Sequence, residues 1–260
     1  MALSRVAGDL RVLVTGGRCG IGAEMVRILK GGKVECRYTS RFGSSTDAGC
    51  IRLDLRRSET WTEMNRKLLD HEFDVFVLSA SETLHFDDSR IDASKSDWTG
   101  DFVRPNSGIW HKCIDELDDD EISSPIDTNI IGNVNLIRHY VKGLEAHPDR
   151  GSANKMIIVV TSSEGAFIKK GPFHPVTNAT KSALEQVVHT VSRQAETLGF
   201  KIVTADPGWV YTESSRGKTK GPVDIKFGAH QILHPLAVHI SGGKVKNGSM
   251  WRRLDLRGSA

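Results

Sequence analysis

The 260-residue chain has no apolar run longer than the five residues Met156–Val160, far short of the roughly 18–20 that a membrane-spanning helix needs. A helical membrane protein is excluded. Cysteine is scarce: Cys19, Cys36, Cys50 and Cys113 show neither C-x-x-C spacing nor a dense framework. Free thiols in a reducing compartment are expected, not disulfides or a metal site. No charge of one sign dominates. A net charge of +3 from 35 basic and 32 acidic residues gives nucleic acid no basic stripe to bind. The pairs Arg56-Arg57 and Arg252-Arg253 read as solvated surface. Residues 1–10 are too short and too polar for the apolar region of a signal peptide, so the chain reads as cytoplasmic unless a leader was removed. Repeats and low-complexity linkers are missing too. Tyrosine is rare at three residues, Tyr38, Tyr140 and Tyr211, and that scarcity matters below.

What remains is an ordinary globular composition, 38% hydrophobic and 26% charged, long enough to bury a sizeable core. Residues 11–15 (RVLVT) are a short β-branched run ending in Gly16-Gly17, which predicts a buried strand and a tight turn. Residues 21–30 have helical spacing and are closed by Gly31-Gly32. Strands are expected at 33–38 and 50–53, then a helix over 58–70 capped by Ser58, then a strand at 73–79. The run at 155–162 (KMIIVVTS) is of the kind buried on both faces of a parallel sheet. An amphipathic helix over 176–198 carries Ala183, Leu184, Val187, Val188 and Val191 on one face, and a strand follows at 201–205. Strands alternating with helices predict an α/β fold, a Rossmann-type doubly wound parallel sheet covered on both faces, as one domain over 1–260.

One segment does not fit the alternation. Residues 81–124 are rich in Asp and Ser, carry Trp98 and Trp110, and read as an insertion after the fourth strand. Either it is decorative surface, or it is a lid or partner-binding arm whose tryptophans need something to pack on. The acidic run 115–121 reads as a solvated helix start.

The first strand leads into Thr15-Gly16-Gly17-Arg18-Cys19-Gly20-Ile21-Gly22. Glycines at 16, 20 and 22 let the backbone turn sharply and approach a pyrophosphate, whose charge the free N–H groups of a helix start attract. Glycines that serve only the turn are the plainer alternative. A site selective for NAD holds an acid at the end of the second strand. Here the stretch is Cys36-Arg37-Tyr38-Thr39-Ser40-Arg41, and Arg41, helped by Ser40 or Arg18, suits a 2′-phosphate instead. NADP(H) is therefore expected over NAD(H).

Over residues 11 to about 212 the chain resembles the short-chain dehydrogenase/reductase family. The Thr-Gly-x-x-x-Gly-Ile-Gly turn (Thr15, Gly16, Gly20, Ile21, Gly22) matches that family's pattern. Asp54, beside Leu55, stands where the family holds the adenine ring. Asn129 in Thr128-Asn129-Ile130-Ile131-Gly132 resembles the asparagine of the helix behind the active site. Pro207-Gly208 with Thr212 resembles the segment that grips the nicotinamide end, and Thr180-Lys181-Ser182-Ala183-Leu184 the flank of the catalytic helix. The resemblance implies Lys181, Asn129 and a serine after the fifth strand, Ser163 or its neighbour Ser162, as active-site residues. It implies residues 213–235 as a substrate loop, and 248–251 as a last short strand at a subunit interface.

The departures carry as much information. After the fourth strand the family's Asn-Asn-Ala-Gly is replaced by Leu78-Ser79-Ala80-Ser81, where only Ala80 survives. Four residues before Lys181, where the family has its tyrosine, stands Thr177. A phenol near pKa 10 is lowered further by a neighbouring ammonium, whereas an aliphatic hydroxyl is far less acidic. Loss of a general acid costs about 10²–10⁴ in rate. Thr177 reads as a helix cap sooner than as a catalyst, and Tyr211 and His174 are the substitutes the chain offers. Two functions follow. One is an NADP(H)-dependent oxidoreductase acting on a carbonyl, alcohol or imine by a modified proton-transfer route. The other is a catalytically silent dinucleotide-binding homologue that serves as a sensor or as a subunit of an assembly. The expected partners are an unnamed small molecule, plus either a second copy or a protein bound through residues 81–124.

Overall fold

The computed structural model describes residues 10–43, 47–70, 72–81, 117–147, 154–161, 175–208, 210 and 223–252. Seven strands form one parallel sheet: β1 (Arg11–Val14), β2 (Glu35–Ser40), β3 (Cys50–Arg52), β4 (Val75–Leu78), β5 (Met156–Val160), β6 (Lys201–Asp206) and β7 (Met250–Arg252). Their order is β3-β2-β1-β4-β5-β6-β7. Every residue of β4 and β5 is buried, which parallel strands covered on both faces require and their continuous aliphatic sequences allow. β1 lies between β2 and β4. The winding direction reverses there, opening a crevice at the carboxyl ends of β1 and β4.

Among the described residues six α-helices cover the sheet: α1 (Gly20–Gly31), α2 (Trp61–Leu69), α3 (Asp119–Ile126), α4 (Asn133–Ala146), α5 (Pro175–Leu198) and α6 (Ile225–Ile240). On one face Met25 and Leu29 of α1 meet Ile232, Leu233 and Leu236 of α6 over the sheet. On the other, Met64 and Leu68 of α2, Leu136 and Tyr140 of α4, and Leu184 and Val188 of α5 form a second core. Each such fully buried aliphatic side chain contributes about 1.5–3 kcal/mol, so the sheet is held from both sides. The feet of β1 and β4 are pinned by polar bonds. Asp74 accepts the Arg11 amide at 3.0 Å and its guanidinium at 3.2 and 3.1 Å, and the buried Tyr140 hydroxyl donates to the Asp74 carbonyl at 2.8 Å. Among the described residues no helix is long and apolar enough to cross a membrane, and Cys19, Cys36 and Cys50 are free thiols.

Several sequence expectations need correction. β2 starts two residues later than 33 because Lys33 has φ 61 and belongs to the turn after α1. Ser58 is not a cap: it opens a 3₁₀ turn, Ser58–Thr60, ahead of α2. The Thr60 hydroxyl there accepts the Asp54 N–H at 3.0 Å. The segment 213–235 is not all loop, since α6 occupies it from Ile225 onward. Asp224 caps that helix, its Oδ1 accepting the N–H groups of Lys226 at 2.9 Å and Phe227 at 3.3 Å. Of the segment 81–124, residues 82–116 lie outside the described residues, and its end is helical. Asp118 accepts the Glu121 N–H at 2.8 Å while Glu121 accepts that of Asp118 at 3.0 Å, a capping box that makes the acidic run the start of α3.

Candidate active site

Thr15 follows β1 and is fully buried, so its hydroxyl serves the scaffold. It accepts the N–H groups of Ser79 and Ala80, both at 2.9 Å, joining the exits of β1 and β4. Gly16 has φ +67, and a Cβ there would stand 3.0 Å from the Ala80 Cα; one on Gly22 would overlap the Gly16 carbonyl oxygen. The turn is held from β2 as well: Gly16 N–H donates to Thr39 Oγ1 at 3.1 Å and Gly17 N–H to the Thr39 carbonyl at 3.1 Å. α1 then begins at Gly20, with Ile21 packed on the α1–α6 core. Its N-cap, Cys19, makes no side-chain bond and its first turn holds no acid. The first N–H groups are therefore uncapped by any side chain and favour an anion. Space that no Cβ occupies, next to those donors, fits a pyrophosphate.

At the β2 edge Arg18 and Arg41 are both exposed, and Arg18 Nη1 donates to the Gly43 carbonyl at 3.0 Å. Ser40 is buried. No acid stands at the end of this strand, whose only carboxylate, Glu35, is exposed at its start. Asp54 is buried too. Burial pushes its carboxyl up, but the bonds from Arg56 and the charges of Arg56 and Arg41 prevail and hold it below its ordinary value. Arg56 N and Nε reach Asp54 Oδ1 at 3.1 and 3.3 Å, and Arg57 Nε lies 3.6 Å from Oδ2. Arg56 and Arg57, exposed as expected, are also the counter-ions of this carboxylate, and Arg56 donates to Ser124 at 2.8 Å. Leu55 is buried against the helix that carries Asn129: a Cβ on Gly132 would come within 2.5 Å of the Leu55 Cβ.

The second half of the site sits at the ends of β5 and β6. Asn129 is fully buried in a π-helical turn, Asp127–Gly132, between α3 and α4. Its Nδ2 donates to Thr180 Oγ1 at 3.0 Å, and that hydroxyl donates to the Thr177 carbonyl at 2.7 Å. Asn133 Nδ2 takes the Asn129 carbonyl at 2.9 Å. Lys181, in the second turn of α5, is also buried, and its Nζ donates to the Val160 carbonyl at 3.4 Å. Burial brings its ammonium down to about 8. Thr177 does not cap α5. It is the third residue of the helix, buried, and its Oγ1 has no hydrogen-bond partner among the described residues. Pro207-Gly208 closes β6, where Gly208 N–H donates to Asp206 Oδ1 at 2.9 Å. Ser162, Ser163, His174, Tyr211 and Thr212 lie outside the described residues.

Thr39 and Thr180 are scaffold residues that sequence motifs miss. A threonine in a strand and one on a helix carry no local signal, and their bonds span 23 and 51 residues. Glycine cradle, buried lysine and buried asparagine thus share the carboxyl edge of β1, β4 and β5. Strand order and glycine turn together define a Rossmann-type α/β protein. Residues 11–222 match the family model described as short chain dehydrogenase, and the chain belongs to that family.

Several known proteins are similar to the chain. An uncharacterized oxidoreductase of Schizosaccharomyces pombe is 25% identical over 234 residues, covering 85% of this chain and 84% of that protein. An uncharacterized protein of Acanthamoeba polyphaga mimivirus is 28% identical over 162 residues, 54% of this chain. That match spans 34% of the viral protein's length. Among solved structures, a 3-ketoacyl-(acyl-carrier-protein) reductase from Brucella melitensis complexed with NADH has a TM-score of 0.72 at 13% identity, covering 97% of this chain and 100% of that one. A short chain dehydrogenase from Burkholderia cenocepacia in complex with NADP has a TM-score of 0.68 at 14% identity, covering 96% and 90%. At such identities the structures speak for the fold.

Proposed function

We propose that the chain is an NADP(H)-dependent oxidoreductase acting on a carbonyl, alcohol or imine by a modified proton-transfer route. The observation that carries this reading is the placement of the buried Lys181 amine on the same sheet edge as the glycine cradle. A buried cation with no counter-ion among the described residues is costly, and a site that develops negative charge on a substrate oxygen gives it a purpose. Gly16, Gly20, Gly22 and the open start of α1 hold the pyrophosphate, Arg18 and Arg41 meet the 2′-phosphate, and Pro207-Gly208 borders the nicotinamide. When bound, the dinucleotide supplies or accepts the hydride. In reduction the substrate carbon gains that hydride and its oxygen or nitrogen gains a proton. Lys181 is our choice of donor, because an ammonium at about 8 is matched to neutral pH where the Thr177 hydroxyl is not. An imine that arrives protonated needs no donor. Asn129 acts through Thr180, fixing the first turn of α5 on which Lys181 rides.

Neighbouring folds hold NADP in one case and NADH in another, so our preference for NADP(H) rests on the two arginines and the missing acid. Our proposal of a reducing compartment such as the cytoplasm rests on the scarcity and spacing of the four cysteines in the sequence. The test is a fluorescence titration with NADPH and NADH at low salt, followed by a screen of carbonyls and imines. The expected result is NADPH bound at least about tenfold more tightly, a difference of about 1.4 kcal/mol, and turnover with one substrate class. Failure to bind either nucleotide overturns the proposal. Binding without turnover on any substrate replaces it with the silent dinucleotide-binding protein.

A further inference from the structure

The carboxyl ends of β5, β6 and β7 carry a polar row that the proposed chemistry leaves unused. Val160 pairs with Ala205, and Asp206 with Arg252, so Thr161, Asp206 and Arg252 stand side by side. Strand alternation turns all three toward α5, because Ile157, Val159 and Ile202 of the same strands belong to the α5 core. From α5, Glu185 rises into this row. The charged groups that act on it are Arg252 of β7 and Asp206 of β6, and the Thr161 hydroxyl stands close by. Its own helix carries Lys181 and His189 one turn to either side. No charge from α3 or α4 bears on it among the described residues.

Glu185 Oε1 and Thr161 Oγ1 are both buried with no hydrogen-bond partner among the described residues. A carboxyl group with one oxygen so poorly solvated holds its proton to a higher pH than an exposed one. Burial, supported by the Asp206 charge and opposed by Arg252 and Thr161, moves Glu185 up to about 7. Asp206 is itself buried, and its Oδ1 accepts the Gly208 N–H at 2.9 Å. That bond shapes the turn after β6, where Gly208 has φ +73.

We propose that Asp206 is a positioning residue for the Pro207-Gly208 turn and that Glu185 is its switch. With Glu185 protonated, α5 sets no negative charge beside Asp206, and the turn is held. Once ionised, Glu185 competes for Arg252 and repels Asp206, and the turn loosens. The inference rests on the reading above that this turn borders the nicotinamide, and its test has one arm that needs no nucleotide.

In the nucleotide-free protein, a folded value raised above the unfolded carboxyl's fixes the sign. Stability from Glu185 is full below about 4.3, falls as pH rises toward 7 and is level beyond. Denaturant unfolding against pH should show that fall in the wild type, no contribution from this group in Glu185→Gln, and a smaller fall in Asp206→Asn, which removes the neighbouring charge. In the second arm, NADPH affinity read by fluorescence should drop on the order of fivefold between pH 6 and 8.5. Glu185→Gln should keep the tight value throughout. Asp206→Asn, which retains an acceptor for Gly208, should bind without the pH step, and Asp206→Ala should bind weakly at every pH. A pH step that persists in Glu185→Gln overturns the switch, as does an unfolding profile identical in wild type and Glu185→Gln. Absence of NADPH binding at all pH values overturns the functional reading alone, and the unfolding arm then decides whether Asp206 and Glu185 are coupled.

Discussion

The two halves of the crevice differ in how completely they are determined. At the β1–β4 edge, Thr15, Gly16, Gly17 and Thr39 bond one another or their neighbours, and a Cβ on Gly22 would strike backbone. Around the β5–β6 edge several buried polar side chains are left incomplete. Thr177 Oγ1, Thr161 Oγ1, Asn133 Oδ1 and Glu185 Oε1 lack partners among the described residues, and Lys181 and Glu185 are both shifted toward neutrality. Binding a dinucleotide needs a rigid mould. Moving a proton near neutral pH favours groups whose charge is poorly satisfied, because a fully compensated carboxylate or ammonium has its pKa pushed further from neutrality. Loss of the tyrosine falls wholly on the second half.

The sharpest way to test this contrast is to remove the charge from the incomplete half. Lys181→Met should lower turnover by about 10²–10⁴ while the mould stays intact. Its effect on stability has a definite sign. The folded lysine loses its proton near 8 and the unfolded one near 10.4, so wild-type stability should rise between those values, and the variant should lack that rise. Denaturation at pH 7, 9 and 10.5 measures it. The mould itself is broken by Gly22→Ala: the new methyl meets the Gly16 carbonyl, the turn must shift, and a loss of about 3 kcal/mol in stability with loss of nucleotide binding is expected. Thr177→Val should have the smallest effect. Removing a buried hydroxyl without a partner should leave stability unchanged or improve it by about 1 kcal/mol, with turnover preserved. A large fall in turnover would instead make Thr177 the proton donor.

How much of this was legible in the sequence follows the same division. β1, its glycine turn and α1 were readable because a β-branched run, three glycines and a helical period lie within 20 residues. Lys181 and Asn129 were found through motifs, and both are buried on the crevice edge. Thr177 as a cap was wrong, because capping depends on where a helix begins, and α5 already includes Pro175. α6 was hidden by Gly228 and Pro235, each of which argues against a helix locally. In the fold Gly228 lets the helix approach Val210, whose Cγ2 would lie 2.7 Å from a Cβ there, and Pro235 is buried in the core-facing side. The row Thr161, Asp206, Arg252 and Glu185 had no sequence signature at all. Its members come from four elements and meet only through strand register.

The Thr15 hydroxyl has a consequence for how the molecule breathes. By receiving the amides of Ser79 and Ala80, it makes the last residues beyond β4 depend on a side chain 64 and 65 positions earlier. Those two amides sit where a strand end would ordinarily fray and exchange with solvent within a short time. Here their deuterium uptake should instead follow the separation of β1 from β4, so two peptide protons report the opening of the whole crevice.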